Sequence, residues 1–208
     1  MPEPEPGGGP PLKAAAVILA AGASTRLGNP KQLVQIDGES LLLRTARLAL
    51  EAGCAPVIVV LGFEADRMSA ELAGLPVEAV VNQKWDSGMG SSLACGVVAA
   101  LRARPKMDAL VLLVCDQPRL TAAHLLRLLA LHAAGSSAIT ASAYAGRAGV
   151  PAVFGTGLFS ALKSIEGDQG ARDLIFRHGA RTVDWPDGAY DIDLPGDLDP
   201  ASGGSQRR

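Results

Sequence analysis

An apolar run that ends in a glycine-containing loop constrains this chain more than any other stretch. The run covers Ala14 to Ala21. The loop after it contains two glycines, a serine and two basic residues, namely Gly22, Ser24, Arg26, Gly28 and Lys31. An apolar run that stops at glycine is typical of a buried strand entering a loop. Backbone N–H groups of such a loop can hold phosphate oxygens, and basic side chains add the opposite charge. The stretch therefore predicts a phosphate-binding loop at the end of a buried strand.

Two widespread phosphate-binding motifs do not fit this loop. Walker A needs Lys directly after its second Gly, whereas Asn29 and Pro30 separate Gly28 from Lys31. The dinucleotide fingerprint GxGxxG is absent as well, because Gly22 has no Gly two residues further on. An ordinary strand and loop with surface charges is the alternative interpretation. The grouping of Gly, Ser, Arg and Lys after one strand favours a phosphate site.

Composition and charge exclude several classes of protein. The length of 208 residues suits one domain, and 48% apolar residues with only 4% aromatics indicate a core of Ala, Leu and Val. The net charge of −2 gives no basic excess, so we expect no nucleic-acid partner. No apolar segment approaches the roughly 18 residues of a membrane span, and MPEPEPGGGPP lacks the features of a secretory signal. We therefore expect a cytoplasmic protein with no membrane partner.

The three cysteines are far apart and odd in number. Cys54, Cys95 and Cys115 form no CxxC pair, so we expect neither a disulfide framework nor a zinc site.

Apolar strands alternate with helices along the chain. The predicted strands are Ala14–Ala21, Pro56–Leu61, Val77–Val81, Ala109–Val114, Ser137–Tyr144, a short strand within Gly146–Phe154, and Arg181–Asp184. The predicted helices are Leu41–Ala52, Glu64–Leu72, Leu93–Ala103, Thr121–His132 with Thr121 as N-cap, Gly157–Leu162 and Ala171–Phe176. This pattern predicts an α/β fold with a mainly parallel sheet covered on both faces. We expect one domain at residues 13–199, with disordered tails at 1–12 and 200–208.

Three polar segments follow predicted strands. They begin at Gly22, Asn82 and Asp116. Because ligands bind beyond the carboxyl ends of the strands in such a sheet, we expect these segments to form one site. Capping the next helix is the alternative role for Asp116, although Pro118 and Thr121 already provide a start for that helix.

A carboxylate at the end of a strand suits a magnesium ion. Mg²⁺ usually takes one or two carboxylates together with substrate phosphates. Asp116 is the first candidate, and Asp193 or Asp191 in YDIDLP is the second, since alternate residues of an extended segment point the same way. A solvated acidic tail is the alternative for the last two. Together with Lys31 and Arg26, this set predicts a nucleoside triphosphate held with Mg²⁺ and displacement at phosphorus.

The positions of the histidines argue against a catalytic triad with a serine or cysteine nucleophile. His124, His132 and His178 fall in helices or at a helix end, without a serine or cysteine nucleophile motif beside them. A phosphate acceptor is already an anionic nucleophile, so charge neutralisation by Lys31, Arg26 and the metal would carry catalysis without a general base.

Several segments of the chain resemble one family in the same order. LAAGASTRLGNPKQL, at 19–33, resembles the LAAGxSxRxGxxKxL signature of nucleotidyltransferases of the molybdenum cofactor cytidylyltransferase type, within the MobA-like NTP transferase superfamily. NQKWDSGMGSSLACGV, at 82–97, resembles the family's NxxWxxGMxSSLxxGV segment, and VCDQPRLT, at 114–121, its DQP motif. GRAGVPAVF, GDQGAR and DIDLPGDL are similar to its later motifs. The resemblance covers residues 13–199.

The resemblance implies a fold and a set of site residues. The fold is a Rossmann-like three-layer sandwich. The implied nucleotide-binding residues are Leu19, Ala20, Ala21, Gly22, Ser24, Arg26, Lys31, Asn82, Gly88, Ser91 and Ser92. The implied catalytic residues are Lys31, Arg26 and Asp116, and the implied ligands of Mg²⁺ are Asp116 and Asp193.

The resemblance also implies an activity, which is transfer of CMP from CTP to the phosphate of molybdopterin cofactor with release of pyrophosphate. Ala21 resembles the cytidylyl enzymes, whereas guanylyl relatives usually carry Gly there, which favours CTP. Val150 stands where the cytidylyltransferases commonly show His, so a sugar phosphate or another phosphorylated acceptor stays open. A molybdoenzyme or its maturation factor is the expected protein partner. A non-catalytic carrier for a molybdoenzyme is the rival hypothesis, and Lys31 with Asp116 argues against it.

Overall fold

The computed structural model of the chain describes residues 12–24 and 30–190. Its strands are β1 (Ala14–Leu19), β2 (Gln35–Ile36), β3 (Glu39–Ser40), β4 (Val57–Leu61), β5 (Glu78–Val81), β6 (Ala109–Val114), β7 (Ile139–Tyr144), β8 (Arg147–Gly155) and β9 (Arg181–Asp184). Its α-helices are α1 (Leu41–Glu51), α2 (Ala65–Glu71), α3 (Met89–Ala103), α4 (Ala122–Ala133), α5 (Phe159–Lys163) and α6 (Arg172–His178). The predicted disordered tails lie outside the described residues except for Leu12, which packs against the core.

Seven strands form one sheet, in the order β5-β4-β1-β6-β8-β7-β9. Strands β5, β4, β1 and β6 run parallel to one another. Strand β8 is antiparallel to both of its neighbours, and β9 is parallel to β7. Strands β2 and β3 pair separately as a small antiparallel ribbon. The prediction of an α/β fold with a mainly parallel central sheet is confirmed.

Each face of the sheet carries its own apolar core. Alternate residues of β1 point to opposite faces, so Ile18 joins one core and Val17 the other. Helices α1, α2 and α4 cover the first face, and α3, α5 and α6 cover the second. Burial on both faces explains why the strands read as continuous apolar runs instead of alternating with polar residues.

Helix α3 differs most from its prediction. It begins at Met89, four residues before the predicted start at Leu93. Gly90, Ser91 and Ser92 favour loops by composition, but contacts from distant segments hold them in the first helical turn. The Gly90 N–H donates to the Gly167 carbonyl at 2.8 Å, and the side-chain amide of Asn82 donates to the hydroxyls of both serines.

The other elements differ from their predictions by smaller amounts. Strand β1 ends at Leu19, not at Ala21, and β8 is nine residues long instead of short. The N-cap prediction for α4 is confirmed, because the Thr121 hydroxyl accepts a hydrogen bond from the His124 N–H at 3.2 Å. No helix among the residues that the structure describes is both long and apolar enough to cross a membrane.

His124 is a buried structural histidine with a defined tautomer. Its Nε2 lies 2.8 Å from the Ser142 hydroxyl, which donates its own proton to the Pro151 carbonyl. The Nε2 atom must therefore donate. The Arg127 guanidinium only donates, so Nδ1 accepts and the ring is neutral. The ring stacks on Trp185 at 4.7 Å between centroids. Burial, with the nearby charge of Arg127, lowers the pKa of His124 to about 4.

The lowered pKa of His124 predicts a loss of stability in mild acid. The pKa of this histidine is near 6.5 in the unfolded chain and about 4 in the folded protein. At a pH between these two values, the imidazole is protonated in the unfolded chain but not in the folded protein. The contribution is therefore complete above about pH 6.5 and is lost as the pH falls towards 4. We expect the free energy of unfolding in urea to drop by on the order of 2 kcal/mol between pH 7.5 and 5. Burial also lowers the pKa of His132, which acts in the same direction.

The matched variants are His124→Gln and His178→Gln. His178 is exposed, so its variant should keep the wild-type pH dependence, whereas His124→Gln should have a shallower one. An equal drop in wild type and His124→Gln would contradict the assignment.

Candidate functional site

The loop after β1 is held by contacts at both of its ends. The Lys31 backbone N–H donates to the Ser24 hydroxyl at 3.1 Å, so the beginning and the end of the loop are in direct contact. Ser24 has φ of +50°, in the left-handed region that a non-glycine residue rarely adopts. Arg26 and Gly28 lie outside the described residues. The described part of the loop thus brings Gly22, Ser24 and Lys31 together at the cleft.

An ion pair joins this loop to the next strand of the sheet. Lys31 Nζ lies 2.5 Å from Asp116 Oδ2, and the two side chains are 25% and 20% exposed. The contact follows from the topology, because β1 and β6 pair in parallel and end level with each other, with Leu19 opposite Val114. Both charges remain accessible to a ligand, so the lysine can meet an anion and the carboxylate can meet a cation.

A cleft with a volume of about 600 Å³ opens at this edge of the sheet. Its walls come from the carboxyl ends of β1 and β6, from the start of α3 and from the loop before α6. Of the predicted site residues, those that line it are Leu19, Ala21, Gly22, Ser24, Lys31, Gly88, Ser92 and Asp116. The other described residues that line it are Ala23, Gln32, Trp85, Asp86, Met89, Val114, Cys115 and Asp168.

Of the predicted nucleotide-binding residues that the structure describes, three do not line the cleft. Ala20 is 1% exposed and belongs to the core. The Asn82 amide donates to the Ser91 and Ser92 hydroxyls at 2.8 and 3.0 Å, and its oxygen accepts from the Lys84 N–H. Asn82 and Ser91 therefore hold the start of α3 against the end of β5.

Sequence reasoning missed several residues of the cleft as individuals, although their segments were noticed. Trp85 lies in the polar segment after Asn82, which the sequence assigns to the site without singling out the tryptophan, and Asp168 lies in GDQGAR, which the sequence identifies only as a family motif. Trp85 packs on Gly62, where a Cβ atom would lie 2.5 Å from the Trp85 Cβ, and it meets Phe63 edge-on at 5.8 Å. Single aromatic or acidic residues within a polar loop give no periodic signal, so only the fold places them at the cleft.

Two segments far apart in sequence come into backbone contact beside the cleft. Gly88 has φ of +112°, and a Cβ atom there would lie 2.3 Å from the Gly167 carbonyl group. A Cβ atom at Gly90 would lie 2.7 Å from the backbone of Glu166. These two glycines let the loop before α6 pack against the first turn of α3. That contact brings Asp168 to the cleft wall.

The donor set of the cleft suits a hard metal ion bound partly by its substrate. Within residues 12–24 and 30–190, no three histidine, cysteine or acidic side chains lie close enough together to hold a metal by themselves. Asp116 offers carboxylate oxygens at the cleft, and Asp193 lies outside the described residues. Mg²⁺ is commonly held by one or two carboxylates plus phosphate oxygens, so this arrangement fits it.

The cysteine at the cleft is not a nucleophile at neutral pH. Burial, and secondarily the Asp116 carboxylate, raises the pKa of the Cys115 thiol to about 12. The thiolate is the reactive form of cysteine, so this residue acts as a small apolar group. All three cysteines are free thiols, in agreement with the expectation of no disulfide framework.

A comparison with models of known protein families identifies the family of this chain. The model of the MobA-like NTP transferase domain matches residues 16–182, which is most of the chain. The chain belongs to this family. The resemblance seen in the sequence motifs is therefore confirmed, and the protein is a MobA-like nucleotidyltransferase.

Similar curated proteins have different names. The chain is 41% identical over 168 residues to nicotine blue oxidoreductase of Paenarthrobacter nicotinovorans, covering 76% of this chain and 79% of that protein. It is 32% identical over 168 residues to the purine catabolism protein PucB of Bacillus subtilis, covering 76% and 78%. It is 36% identical over 113 residues to a probable molybdenum cofactor guanylyltransferase of Synechococcus elongatus, covering 53% and 54%. The family thus includes relatives with several named roles.

Solved structures of relatives share the fold. Rv0371c of Mycobacterium tuberculosis H37Rv superposes with a TM-score of 0.76 at 31% identity, covering 89% of this chain and 95% of that one. A second structure of Rv0371c is a complex with manganese, with a TM-score of 0.73. A nucleotidyl transferase from Methanothermobacter superposes with a TM-score of 0.74 at 27% identity, covering 89% and 94%. The Rossmann-like nucleotidyltransferase fold is therefore shown.

The close contact between Gly90 and the Glu166 backbone predicts that Gly90→Ala destabilises the protein, although alanine is the better helix former. Helix propensity alone favours Ala in the first turn of α3 by about 1 kcal/mol. The new methyl group would instead overlap the Glu166 backbone, so we expect a net loss of about 1–3 kcal/mol in the free energy of unfolding. Urea unfolding measures this loss, with Gly157→Ala as the control. A Cβ atom at Gly157 meets nothing within 4 Å, so that variant adds a methyl group without a steric clash. A Gly90→Ala protein as stable as wild type would refute the packing argument.

Proposed function

We propose that this chain transfers CMP from CTP to the phosphate of molybdopterin cofactor and releases pyrophosphate, with Mg²⁺ bound. The observation that carries the proposal is the Lys31–Asp116 pair, which places an anion-binding and a cation-binding group 2.5 Å apart in the cleft. A triphosphate and its metal need one group of each kind. Membership of the nucleotidyltransferase family supports the same chemistry.

The reaction needs charge neutralisation more than proton transfer. An oxygen of the acceptor phosphate forms a bond to the α-phosphorus, and the bond from that phosphorus to the pyrophosphate oxygen breaks. In this proposal Lys31 leaves Asp116 and binds the triphosphate, and Arg26 adds a second positive charge. Backbone N–H groups from Gly22 onward bind phosphate oxygens. The acceptor phosphate is anionic at neutral pH and requires no base.

The proposed metal ligands are Asp116 and Asp193. When bound, Mg²⁺ would supply positive charge that offsets the charge of the phosphates. The Asp116 side chain is 20% exposed and already holds a cation, the Lys31 ammonium, so its oxygens are directed towards positive charge. The manganese complex of Rv0371c supports a divalent metal in this family, and Mg²⁺ is our choice for this chain.

The base is assigned to the β4 side of the cleft. Strands β6 and β4 flank β1, so Asp116 and Gly62, which follow them, are separated by two strand spacings, or about 10 Å, and Trp85 packs on Gly62. That span suits a nucleotide with its phosphates at Lys31 and its base beside the Trp85 indole. Ala21 lines the cleft after β1, between these ends, and an alanine there leaves less room than a glycine would, which favours CTP over GTP.

The acceptor is assigned to the other side of Asp116. Gln117 donates from Nε2 to the Val150 carbonyl at 3.0 Å, and the Tyr144 hydroxyl donates to the same oxygen at 3.0 Å. The segment around Val150 is thereby tied to the residue that follows Asp116. A relative named as a molybdenum cofactor guanylyltransferase supports molybdopterin as the acceptor. A sugar phosphate is the alternative acceptor, because Val150 replaces the usual His.

A second candidate function is oxidation–reduction. It rests on the 41% identity to a relative named nicotine blue oxidoreductase. The described lining of the cleft supplies no reactive thiol, since Cys115 stays protonated, so an oxidoreductase would have to bind a redox cofactor there. A charge-paired lysine and aspartate at the strand ends fit metal-assisted phosphoryl chemistry better.

Pyrophosphate release tests the proposal. We expect release with CTP, Mg²⁺ and molybdenum cofactor together, and much less with GTP, ATP or UTP or without the acceptor. Lys31→Ala and Asp116→Ala should each lower turnover by about 10³-fold, because each removes charge stabilisation of the transferring phosphoryl group. Circular dichroism should show both variants folded, since a partly exposed ion pair contributes little to stability.

Other outcomes redirect the assignment. Near-normal turnover in either variant would refute the assigned roles. Release with a sugar phosphate instead of molybdenum cofactor would keep the chemistry and change the acceptor. Reduction of nicotine blue by an added reductant, dependent on the protein and without pyrophosphate release, would favour the second candidate.

The position of the base predicts a fluorescence change. The sequence has two tryptophans, and the second, Trp185, is 4% exposed and stacked on His124. In a Trp185→Phe protein, Trp85 is the sole tryptophan and should be quenched by CTP with Mg²⁺ through contact with the base. Inorganic tripolyphosphate, which has no base, should leave the emission unchanged. Equal quenching by both ligands would contradict a base beside Trp85.

A further inference from the structure

Gln32 is a polar side chain almost wholly buried beneath the phosphate loop. It directly follows Lys31 in the single-turn 3-10 helix Lys31–Leu33, and it is 2% exposed. Its Nε2 donates to the Ala20 carbonyl at 3.0 Å and to the Gly22 carbonyl at 2.8 Å. A primary amide has two N–H donors, so both are used.

These two carbonyls lie just beyond the end of β1 at Leu19, and the Ala21 carbonyl between them accepts from the Phe63 N–H at 3.0 Å. Buried backbone carbonyls need hydrogen-bond donors, and a side chain can supply them where a strand has ended. The Gln32 amide therefore holds the backbone after β1 at two positions, the Ala20 and Gly22 carbonyls. No sequence pattern revealed this role, because a glutamine in a polar segment is usually exposed.

The other end of the Gln32 amide meets the loop from a different side. The Ser24 hydroxyl lies 3.4 Å from Gln32 Oε1 and donates to it, while accepting from the Lys31 N–H at 3.1 Å. Ser24 keeps its unfavourable positive φ within this set of contacts. The amide thus contacts three described residues that follow β1, namely Ala20, Gly22 and Ser24.

Lys31 and Gln32 are adjacent but serve different partners. The Lys31 ammonium reaches Asp116 at 2.5 Å, and the Gln32 amide reaches the carbonyls below the loop. We infer that Gln32 is a positioning residue of the transfer reaction, which fixes the loop and thereby sets where the Lys31 ammonium meets the phosphates. This inference rests on the proposed function.

Two variants at this position test the inference by activity. Gln32→Met keeps the side-chain length but has no N–H donor, so we expect kcat to fall by about 10- to 100-fold with a smaller change in KM for the nucleotide. In Gln32→Glu, the ionised carboxylate cannot donate to either carbonyl, whereas the protonated acid regains one O–H donor. The activity of Gln32→Glu relative to wild type should therefore rise as the pH is lowered from 8 to 6. The activity of Gln32→Met relative to wild type should not depend on pH.

The matched control is Gln35→Met. Gln35 is exposed and lies three residues further along, so its variant should match wild type. A merely structural amide would lower the melting temperature without a selective loss of kcat and without acid recovery in Gln32→Glu. Wild-type pyrophosphate release with an unchanged kcat in Gln32→Met would overturn the inference and leave the proposed function intact.

A second measurement does not depend on turnover. Hydrogen exchange of the backbone at residues 22–24 and at Lys31 should be faster in Gln32→Met than in wild type, and unchanged in Gln35→Met. Unchanged protection in Gln32→Met would overturn the inference even if the wild-type protein released no pyrophosphate with any substrate, which would refute the proposed function separately.

Discussion

The parallel pairing of β1 with β6 is the constraint on which the site depends. The two strands pair over their full length, from Ala14 opposite Ala109 to Leu19 opposite Val114. Their side chains are buried on both faces, so a slip by one residue would exchange the two cores and is strongly disfavoured. The fixed register makes both strands end at one level. It is this coincidence that brings Lys31 within reach of Asp116.

The ion pair at these strand ends is suited to changing partners. A partly exposed pair of this kind contributes about 1 kcal/mol or less to stability, so the apolar cores hold the fold without it. Its two charges can therefore separate at little cost when a triphosphate and a metal ion offer stronger partners. In the proposed reaction, the Gln32 amide and the Ser24 hydroxyl hold the surrounding backbone while the lysine side chain moves. Stability and binding are thus assigned to different groups.

The far walls of the cleft depend on close backbone contacts instead of strand register. The first turn of α3 meets the loop before α6 at Gly88 and Gly90, where a Cβ atom would overlap the opposing backbone. The Asn82 amide fixes the same turn to the end of β5 through two serine hydroxyls. Trp85 and Asp168 reach the cleft because these contacts place their segments there. The lining consequently comes from segments that are distant in sequence.

The sequence by itself determined the fold class, the family and the two central charges. Apolar runs alternating with helices required a sheet buried on both faces, and Lys31 and Asp116 each followed such a run. Only the tertiary structure decided the start of α3, because Gly90, Ser91 and Ser92 are poor helix formers that distant partners hold in place. It also decided the positions of Trp85, Asp168 and the buried Gln32, since one polar or aromatic residue in a loop leaves no periodic signal. The pattern of apolar residues in a sequence shows which side of a single helix or strand is buried. A cleft is formed by contacts between several elements, which that pattern does not encode.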